Sequence, residues 1–224
     1  MTAAPGNDEH QRDMPDYLTP YRDAIESHGA SFEATGWKNP DMQTGRFDIM
    51  IEMADFTGRI VVDAGSGQGA LAEHLTACGV QYGRYIGLDA MPEMIEQSRA
   101  KQIPETQFEV FDFARDEAAF SRLAKSRGGP GVELVVFSGA LNTLDEDDAI
   151  SVLERAWEAA EEGVIFNFLS DRATPELLAK DPAPAKRFDT IRLLDWALSR
   201  TSLVRFRQEY FAGHDATIAM FRQG

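Results

Sequence analysis

Residues 61–69 read Val-Val-Asp-Ala-Gly-Ser-Gly-Gln-Gly. An apolar run here gives way to glycines on alternate positions, and the carboxylate of Asp63 lies two residues before the first of them. A buried strand that ends in this way must turn through backbone angles that only glycine adopts at low cost, and the glycines let the main chain approach a ligand closely. The stretch therefore predicts a strand, a ligand-binding loop and a helix that begins at Ala70.

From Arg59 onward, apolar strands alternate with amphipathic helices. The sequence predicts strands near 59–64, 84–88, 107–111, 132–138 and 163–169. It predicts helices near 69–78, 91–101, 115–126 and 146–161. Because neighbouring parallel strands need crossover connections, this alternation indicates a parallel sheet covered on both faces, which is a doubly wound α/β domain.

The segments on either side of this alternation have their own signals. Thr19-Pro20 and Asn39-Pro40 are typical helix starts, with Gly29 and Gly58 as the matching ends. These two helices belong to residues 17–57, which are expected to form a helical lid over the cofactor. Residues 1–16 are expected to be a mobile tail, and residues 58–224 the α/β core. An alternating run after Ser202, a turn and a second apolar run predict a closing β-hairpin.

Composition limits the classes of function. The chain has 224 residues, of which 43% are hydrophobic and 26% charged, as expected for one soluble domain. Its net charge of −15, without any basic stripe, argues against a nucleic-acid partner. The single cysteine, Cys78, excludes an intramolecular disulfide, and no apolar run approaches the ~20 residues that a membrane helix needs. A cytoplasmic protein without a metal site is therefore expected.

The glycine loop by itself leaves the cofactor open. Gly65, Gly67 and Ala70 also fit the fingerprint of dinucleotide-binding proteins, and Asp89 follows at about the distance expected for a ribose contact. A nicotinamide or flavin cofactor is one interpretation of this loop.

The order of four segments points to another family. These segments are VVDAGSGQG (61–69), YIGLDAM (85–91), FEVFDFA (108–114) and VELVVFSGALN (132–142). They resemble the successive strand ends of class I S-adenosylmethionine-dependent methyltransferases. The resemblance covers residues 59–170 and, more loosely, residues 202–222. It implies a mostly parallel, seven-stranded, Rossmann-like sheet with a C-terminal antiparallel hairpin, and S-adenosylmethionine as the cofactor.

The resemblance also implies a cofactor role for several residues. Gly65 and Gly67 would let the backbone pass under the methionine portion, and Asp63 would hold its amino group. Asp89 would accept hydrogen bonds from both ribose hydroxyls. Asp112 would accept from the adenine amino group. The other residues assigned to the cofactor in this region are Ser66, Ala90, Phe113 and Ser138. A turn or helix-cap role is the alternative for both Asp89 and Asp112.

Residues outside the loop are candidates for the chemistry and the lid. Asn142 would orient a substrate or cap a turn, and His214 would act as a general base if the acceptor needs one. Arg46 is suited to the carboxylate of the methionine portion, and Trp37 to excluding water from the transferred methyl group. The alternatives are an exposed turn histidine, and a surface arginine with a buried Trp37.

The segment Ser138-Gly139-Ala140-Leu141-Asn142 departs from the Asn/Asp-Pro-Pro-Tyr type found in enzymes that methylate amino groups and bases. It is more similar to the corresponding segment of small-molecule or uncharacterised bacterial members. The sequence thus favours methyl transfer to a small or medium soluble acceptor. The alternatives are a non-catalytic module that binds S-adenosylmethionine or S-adenosylhomocysteine, and a nicotinamide-dependent oxidoreductase.

Overall fold

A computed structural model describes residues 15–35, 39–125 and 131–223. Most of the expected tail (1–16) and Trp37 lie outside the described residues. Eight strands are described: β1 Ile60–Ala64, β2 Arg84–Asp89, β3 Thr106–Val110, β4 Leu134–Phe137, β5 Gly163–Ser170, β6 Arg187–Phe188, β7 Leu203–Arg207 and β8 Asp215–Phe221.

Eight α-helices are described between and before these strands. They are α1 Thr19–His28, α2 Pro40–Met53, α3 Ala70–Ala77, α4 Pro92–Ala100, α5 Ala119–Lys125, α6 Glu146–Ala159, α7 Pro175–Leu178 and α8 Thr190–Arg200. Short 3-10 turns cover Asp16–Leu18, Phe32–Thr35 and Phe211–Gly213.

The strands form one mixed sheet in the order β3-β2-β1-β4-β5-β8-β7, and the two-residue strand β6 also pairs with β5. The pairs among β1 to β6 are parallel. Strand β8 runs antiparallel to both β5 and β7. The predicted doubly wound, mostly parallel sheet with a closing antiparallel hairpin is confirmed, and β6 is an addition to the seven predicted strands.

The central strands are buried on both faces. Val61 and Val62 are successive residues of β1, yet they belong to two different hydrophobic clusters. The same holds for Val135 and Val136 of β4. Successive side chains of a strand point to opposite faces, so each cluster is the core between the sheet and one layer of helices.

The expected lid divides into two parts. Helix α2 begins where Asn39 accepts a hydrogen bond of 2.8 Å from the Asp41 amide, and it buries Phe47 and Met50 in the same cluster as Val61. This helix is therefore part of the layer that covers the sheet. Only the segment of residues 15–35 lies over the core as a separate cover.

The segment between β5 and β7 was not predicted. Its main element is α8, which begins where the Asp189 carboxylate accepts from the amides of Ile191 and Arg192 at 2.9 and 3.1 Å. The helix buries Leu193, Trp196 and Ala197. An acidic N-cap followed by apolar residues three and four positions apart predicts a helix, and the sequence analysis did not use this pattern.

Candidate cofactor and acceptor sites

The glycine loop leaves β1 at the carboxyl end of the sheet. The amides of Gly65 and Ser66 donate to the Leu88 carbonyl at 2.8 and 2.9 Å, which ties the loop to β2. Gly65 has φ of +84° and Gly67 has φ of +52°. A side chain at Gly65 would also collide with the Cβ of Ala140. The loop therefore needs glycine for the reason that the sequence predicts.

An open cavity lies at this edge of the sheet, with a volume of about 1020 Å³ that includes the solvent space at its mouth. It is lined by residues at or just after the carboxyl ends of four neighbouring strands. Those predicted to bind the cofactor are Asp63, Gly65, Ser66, Gly67, Asp89, Ala90, Asp112, Phe113 and Ser138. The structure thus brings together the ends of β1, β2, β3 and β4, as expected where ligands bind in open α/β sheets.

Asp63 lies at the bottom of this cavity and is only 2% exposed. The Tyr85 hydroxyl donates a short hydrogen bond to its Oδ2, whereas Oδ1 has no hydrogen-bond partner among the described residues. Burial raises the pKa of Asp63 to about 7, although the Tyr85 hydrogen bond acts in the opposite direction. A cationic group beside Oδ1 would favour the ionised form of this carboxyl.

Asp89 connects the glycine loop to the second strand. Its Oδ2 accepts from the Gly67 amide and its Oδ1 from the Met91 amide, both at 2.9 Å. Burial raises the pKa of Asp89 to about 6, and these two hydrogen bonds lower it. A carboxylate offers about four acceptor positions, so Asp89 can hold the turn and still accept from a ligand.

Asp112 is tied both to its own turn and to the cover. Its Oδ1 accepts from the amides of Ala114 and Arg115 at 3.1 Å, which is the turn role that the sequence left open. Its Oδ2 accepts from the Tyr17 hydroxyl at 2.6 Å. The next residue, Phe113, packs edge-on against Phe137 with ring centroids 5.7 Å apart and presents an aromatic surface to the cavity.

Three polar side-chain atoms in the lining are buried and have no hydrogen-bond partner among the described residues. They are Asp63 Oδ1, Ser66 Oγ and Ser138 Oγ. Buried polar atoms are normally hydrogen-bonded, so three such atoms in the lining of one cavity indicate a polar ligand. A nucleoside with an amino-acid side arm has donors and acceptors that fit this set.

The cover of residues 15–35 closes this cavity from above. Tyr17, Tyr21 and Phe32 line it. Further polar contacts hold the cover to the core besides that of Tyr17, among them a side-chain hydrogen bond between Tyr21 and Thr143. The Gln68 amide donates to the Ala30 carbonyl, and Arg22 pairs with Glu93, each at 2.6 Å.

A second cavity, of about 1560 Å³ to its mouth, adjoins the first. Tyr21, Ala34, Gly139 and Thr143 line both cavities. The outer wall of the second cavity is the segment 177–187, which connects α7 to β6. The two cavities therefore lie next to each other and share part of their walls.

Arg46 lines the second cavity and not the first. Its Nη2 donates to Asp215 Oδ1 at 2.6 Å, and both side chains are buried. This ion pair joins α2 to the start of β8. The position does not support the predicted contact with the methionine carboxylate, because the guanidinium is held by a buried carboxylate at the second cavity.

Asn142 and His214 also line only the second cavity. Asn142 Oδ1 accepts from the Leu169 amide at 3.1 Å, which fixes the side chain to β5 rather than to the following turn. His214 Nδ1 lies 3.2 Å from Nη2 of Arg187. A guanidinium only donates, so Nδ1 is the acceptor and the proton of neutral His214 is on Nε2. The basic nitrogen thus faces Arg187, which weakens the predicted role of His214 as a general base.

Three potential metal ligands meet elsewhere on the surface. Asp48 lies 2.7 Å from Nε2 of His74, and the Cys78 sulfur lies 3.6 Å from the same nitrogen. Asp48 and Cys78 are exposed. Because the Asp48–His74 hydrogen bond accounts for the arrangement, we assign it no role in the site.

The strand order and the closing hairpin are those of class I S-adenosylmethionine-dependent methyltransferases. The chain contains a methyltransferase domain, because the sequence profile of the family described as "Methyltransferase domain" matches residues 61–163. The resemblance seen in the four sequence segments is confirmed, and S-adenosylmethionine is the cofactor of this class of domain. No curated protein matches the chain by sequence.

Solved structures share the fold at low sequence identity. Magnesium protoporphyrin IX methyltransferase from Synechocystis PCC 6803, with bound S-adenosylmethionine, has a TM-score of 0.63 and 14% identity over 94% of this chain and 99% of that one. An O-methyltransferase family protein from Burkholderia thailandensis has a TM-score of 0.66 and 16% identity over 92% and 64%. The small RNA methyltransferase HEN1 has a TM-score of 0.64 and 18% identity over 84% and 26%.

Proposed function

We propose that this chain is an enzyme that transfers the methyl group of S-adenosylmethionine to a small or medium-sized acceptor in the second cavity. The observation that carries the proposal is the junction of the two cavities at Tyr21, Gly139 and Thr143. A methyl donor in the first cavity and an acceptor in the second would meet at this junction. When bound, the cofactor would supply an electrophilic methyl group on a sulfonium. The lone pair of the acceptor atom would form a bond to this carbon as the carbon–sulfur bond breaks, and S-adenosylhomocysteine would leave with that electron pair.

In this proposal the first cavity holds the cofactor through its strand-end residues. Asp63 Oδ1 accepts from the amino group, and Asp89 accepts from the ribose hydroxyls while it holds the Gly67 amide. Asp112 and Phe113 flank the adenine. The unpartnered hydroxyls of Ser66 and Ser138 supply further hydrogen bonds.

The chain contributes to the reaction mainly by position and by excluding water. Tyr21 and Phe32 of the cover lie over the first cavity, so water is kept from the reacting atoms. Holding the acceptor in line with the donor supplies much of the rate of such a displacement. Because His214 Nδ1 faces Arg187, we expect an acceptor that is nucleophilic without a protein base.

The second cavity is the reason to prefer an enzyme over a binding module, since a module that only bound the cofactor would not need an acceptor space. RNA is a weaker candidate for the acceptor. HEN1 acts on small RNA, but this chain carries a net charge of −15, which repels a phosphate backbone. Within the described parts of the chain, no helix combines the length and apolar character needed to cross a membrane.

Calorimetric titration tests the cofactor half of the proposal. S-Adenosylhomocysteine should bind the wild type, and NAD should not. Asp89→Asn should weaken S-adenosylhomocysteine by roughly tenfold or more, the loss expected for a hydrogen bond to a charged group. Asp55→Asn is the matched control, because Asp55 is exposed, lines neither cavity, and its carboxylate accepts from the amide and the side chain of Thr57 in its own turn. Equal affinity of all three proteins would remove Asp89 from the site.

Release of S-adenosylhomocysteine over a library of soluble metabolites tests the catalytic half. A small molecule that stimulates release above the rate without acceptor would support the enzyme. Tight cofactor binding with no stimulation by any member would favour the non-catalytic module. Stimulation by RNA alone would overturn the small-molecule acceptor.

A further inference from the structure

The second cavity contains positive charge that the protein itself does not fully neutralise. Arg46, Lys180 and Arg187 line it. The charge of Arg46 is paired with buried Asp215. Lys180 is exposed and makes no ion pair with any described residue. Arg187, on β6, is half-buried and has no carboxylate partner among the described residues.

Arg187 is held in place by neutral acceptors only. Its Nη1 donates to the Ser170 carbonyl at 2.9 Å, and its Nη2 donates to the Leu177 carbonyl at 3.0 Å. The third contact is His214 Nδ1. Its Nε is buried without a hydrogen-bond partner, and no carboxylate pairs with the guanidinium among the described residues.

An unpaired, partly buried guanidinium is costly unless a counter-charge arrives. The chain has 37 acidic and 22 basic side chains, so acidic residues are abundant, yet none of the described ones pairs with Arg187. Asp181 is the acidic residue in the cavity wall, and its Oδ1 already accepts from the Ala183 amide at 2.9 Å. Asp181 offsets Lys180 in charge, so one net positive charge remains at Arg187.

The rest of the lining is largely apolar. Its larger apolar side chains are Met42, Leu169, Leu177 and Phe211. An acceptor that fits this cavity therefore combines an apolar body with a single anionic group. A carboxylate matches the planar donors of a guanidinium.

We propose that the methyl acceptor is a small carboxylate-bearing molecule with an apolar body, and that Arg187 is the residue that binds its carboxylate. This inference rests on the proposed methyl transfer, whose acceptor it specifies. Arg187 lines the second cavity only, whereas the junction is formed by Tyr21, Ala34, Gly139 and Thr143. The carboxylate thus serves to orient the acceptor, and a different atom of the molecule faces the methyl group.

Matched acids and amides test the proposal by binding alone. The probes are phenylacetate, indole-3-acetate and octanoate, each compared with its primary amide at constant ionic strength. Binding is measured as the shift in melting temperature of the full chain saturated with S-adenosylhomocysteine. We expect at least one acid to bind roughly tenfold or more tightly than its amide.

Variants then assign the preference to Arg187. Arg187→Gln should remove the difference between acid and amide, and Arg187→Lys should keep part of it because the charge remains. Arg172→Gln is the control, since Arg172 is a nearby exposed cation that does not line the cavity. Unchanged S-adenosylhomocysteine affinity shows that each variant is folded.

The outcomes separate this inference from the proposed function. If S-adenosylhomocysteine binds but acids and amides behave alike, or no acid binds, the carboxylate acceptor is wrong while methyl transfer stands. A preference for acids that persists in Arg187→Gln places the anion elsewhere and overturns the role of Arg187. Failure of S-adenosylhomocysteine to bind contradicts the proposed function itself.

Discussion

The hydroxyl of Tyr17 donates a hydrogen bond of 2.6 Å to Oδ2 of Asp112, which joins the beginning of the cover to the end of β3. Tyr17 also lines the first cavity. Burial, the hydrogen bond to Asp112 and the negative charge of Asp112 all raise the pKa of Tyr17. The hydroxyl therefore keeps its proton and remains a donor.

Tyr17→Phe should therefore loosen the cover. We expect S-adenosylhomocysteine to bind about fivefold more weakly, which corresponds to ~1 kcal/mol for one partly exposed hydrogen bond. Protease cleavage within residues 15–35 should become faster in the absence of ligand. The control is Tyr82→Phe, which loses a hydrogen bond of 2.9 Å to the Pro104 carbonyl and lines neither cavity. An identical response of the two variants would show that Tyr17 does not act as a latch.

The pKa values of Asp63 and Asp89 make the ligand-free protein sensitive to pH. Both are raised from 3.8, to about 7 and about 6, chiefly by burial. Between pH about 4 and about 7, these two carboxyls keep protons in the native state that they have lost in the unfolded chain. Their contribution to the free energy of unfolding therefore falls as the pH rises through this range. Asp63→Asn should show a smaller decrease in the free energy of unfolding between pH 5 and pH 8, measured with urea. A decrease equal to that of the wild type would mean that Asp63 ionises normally.

Ligand affinity should change with pH in the opposite direction. The amino group of S-adenosylhomocysteine is cationic and favours ionised Asp63, so its affinity should increase as pH rises toward and through about 7. Adenosine has no amino-acid arm, and its affinity should change less over the same range. Titration calorimetry at pH 5.5, 7 and 8.5 measures both ligands. Parallel pH profiles for both ligands would place the amino group away from Asp63.

The Arg46–Asp215 ion pair predicts a stability effect that differs from a cofactor contact. Arg46→Met leaves a buried carboxylate without its partner and should reduce the free energy of unfolding by about 3 to 5 kcal/mol. The double variant Arg46→Met, Asp215→Leu should recover most of this loss, because both buried charges are gone. Denaturant unfolding measures both. A stable Arg46→Met protein with specifically weakened S-adenosylhomocysteine binding would instead restore the contact predicted from the sequence.

Gly65 and Gly67 should differ although both have positive φ. Gly67→Ala meets no atom within 4 Å of the added methyl group and should cost only the backbone strain, about 1 kcal/mol. Gly65→Ala adds a collision with the Cβ of Ala140 and should cost clearly more in stability and in S-adenosylhomocysteine affinity. The second change Ala140→Gly should rescue part of the Gly65→Ala loss. Equal costs for the two single variants, or no rescue, would contradict this packing.

That several of the predicted cofactor residues line one cavity could be read from the sequence, because they lie at or just after strand ends. Asp63, Asp89 and Asp112 each come directly after an apolar run, and the carboxyl ends of parallel strands meet at one edge of a sheet. The tight turn at the glycine loop could also be predicted, because a positive φ is a local property of the chain that favours glycine. The same local logic predicted the terminal hairpin.

The sequence alone thus determined the sheet, the glycine loop and the acids along its edge, because periodicity and turn chemistry are local. Only the tertiary structure showed the charge pairs at the second cavity. Arg46 meets Asp215 across 169 positions, and Arg187 meets His214 across 27, through a segment whose helix was not predicted. Which charge pairs with which depends on how distant elements pack, and no local pattern encodes it. The sequence predicted that Arg46 contacts the cofactor, and the structure adds that Arg46 pairs with Asp215 at the second cavity.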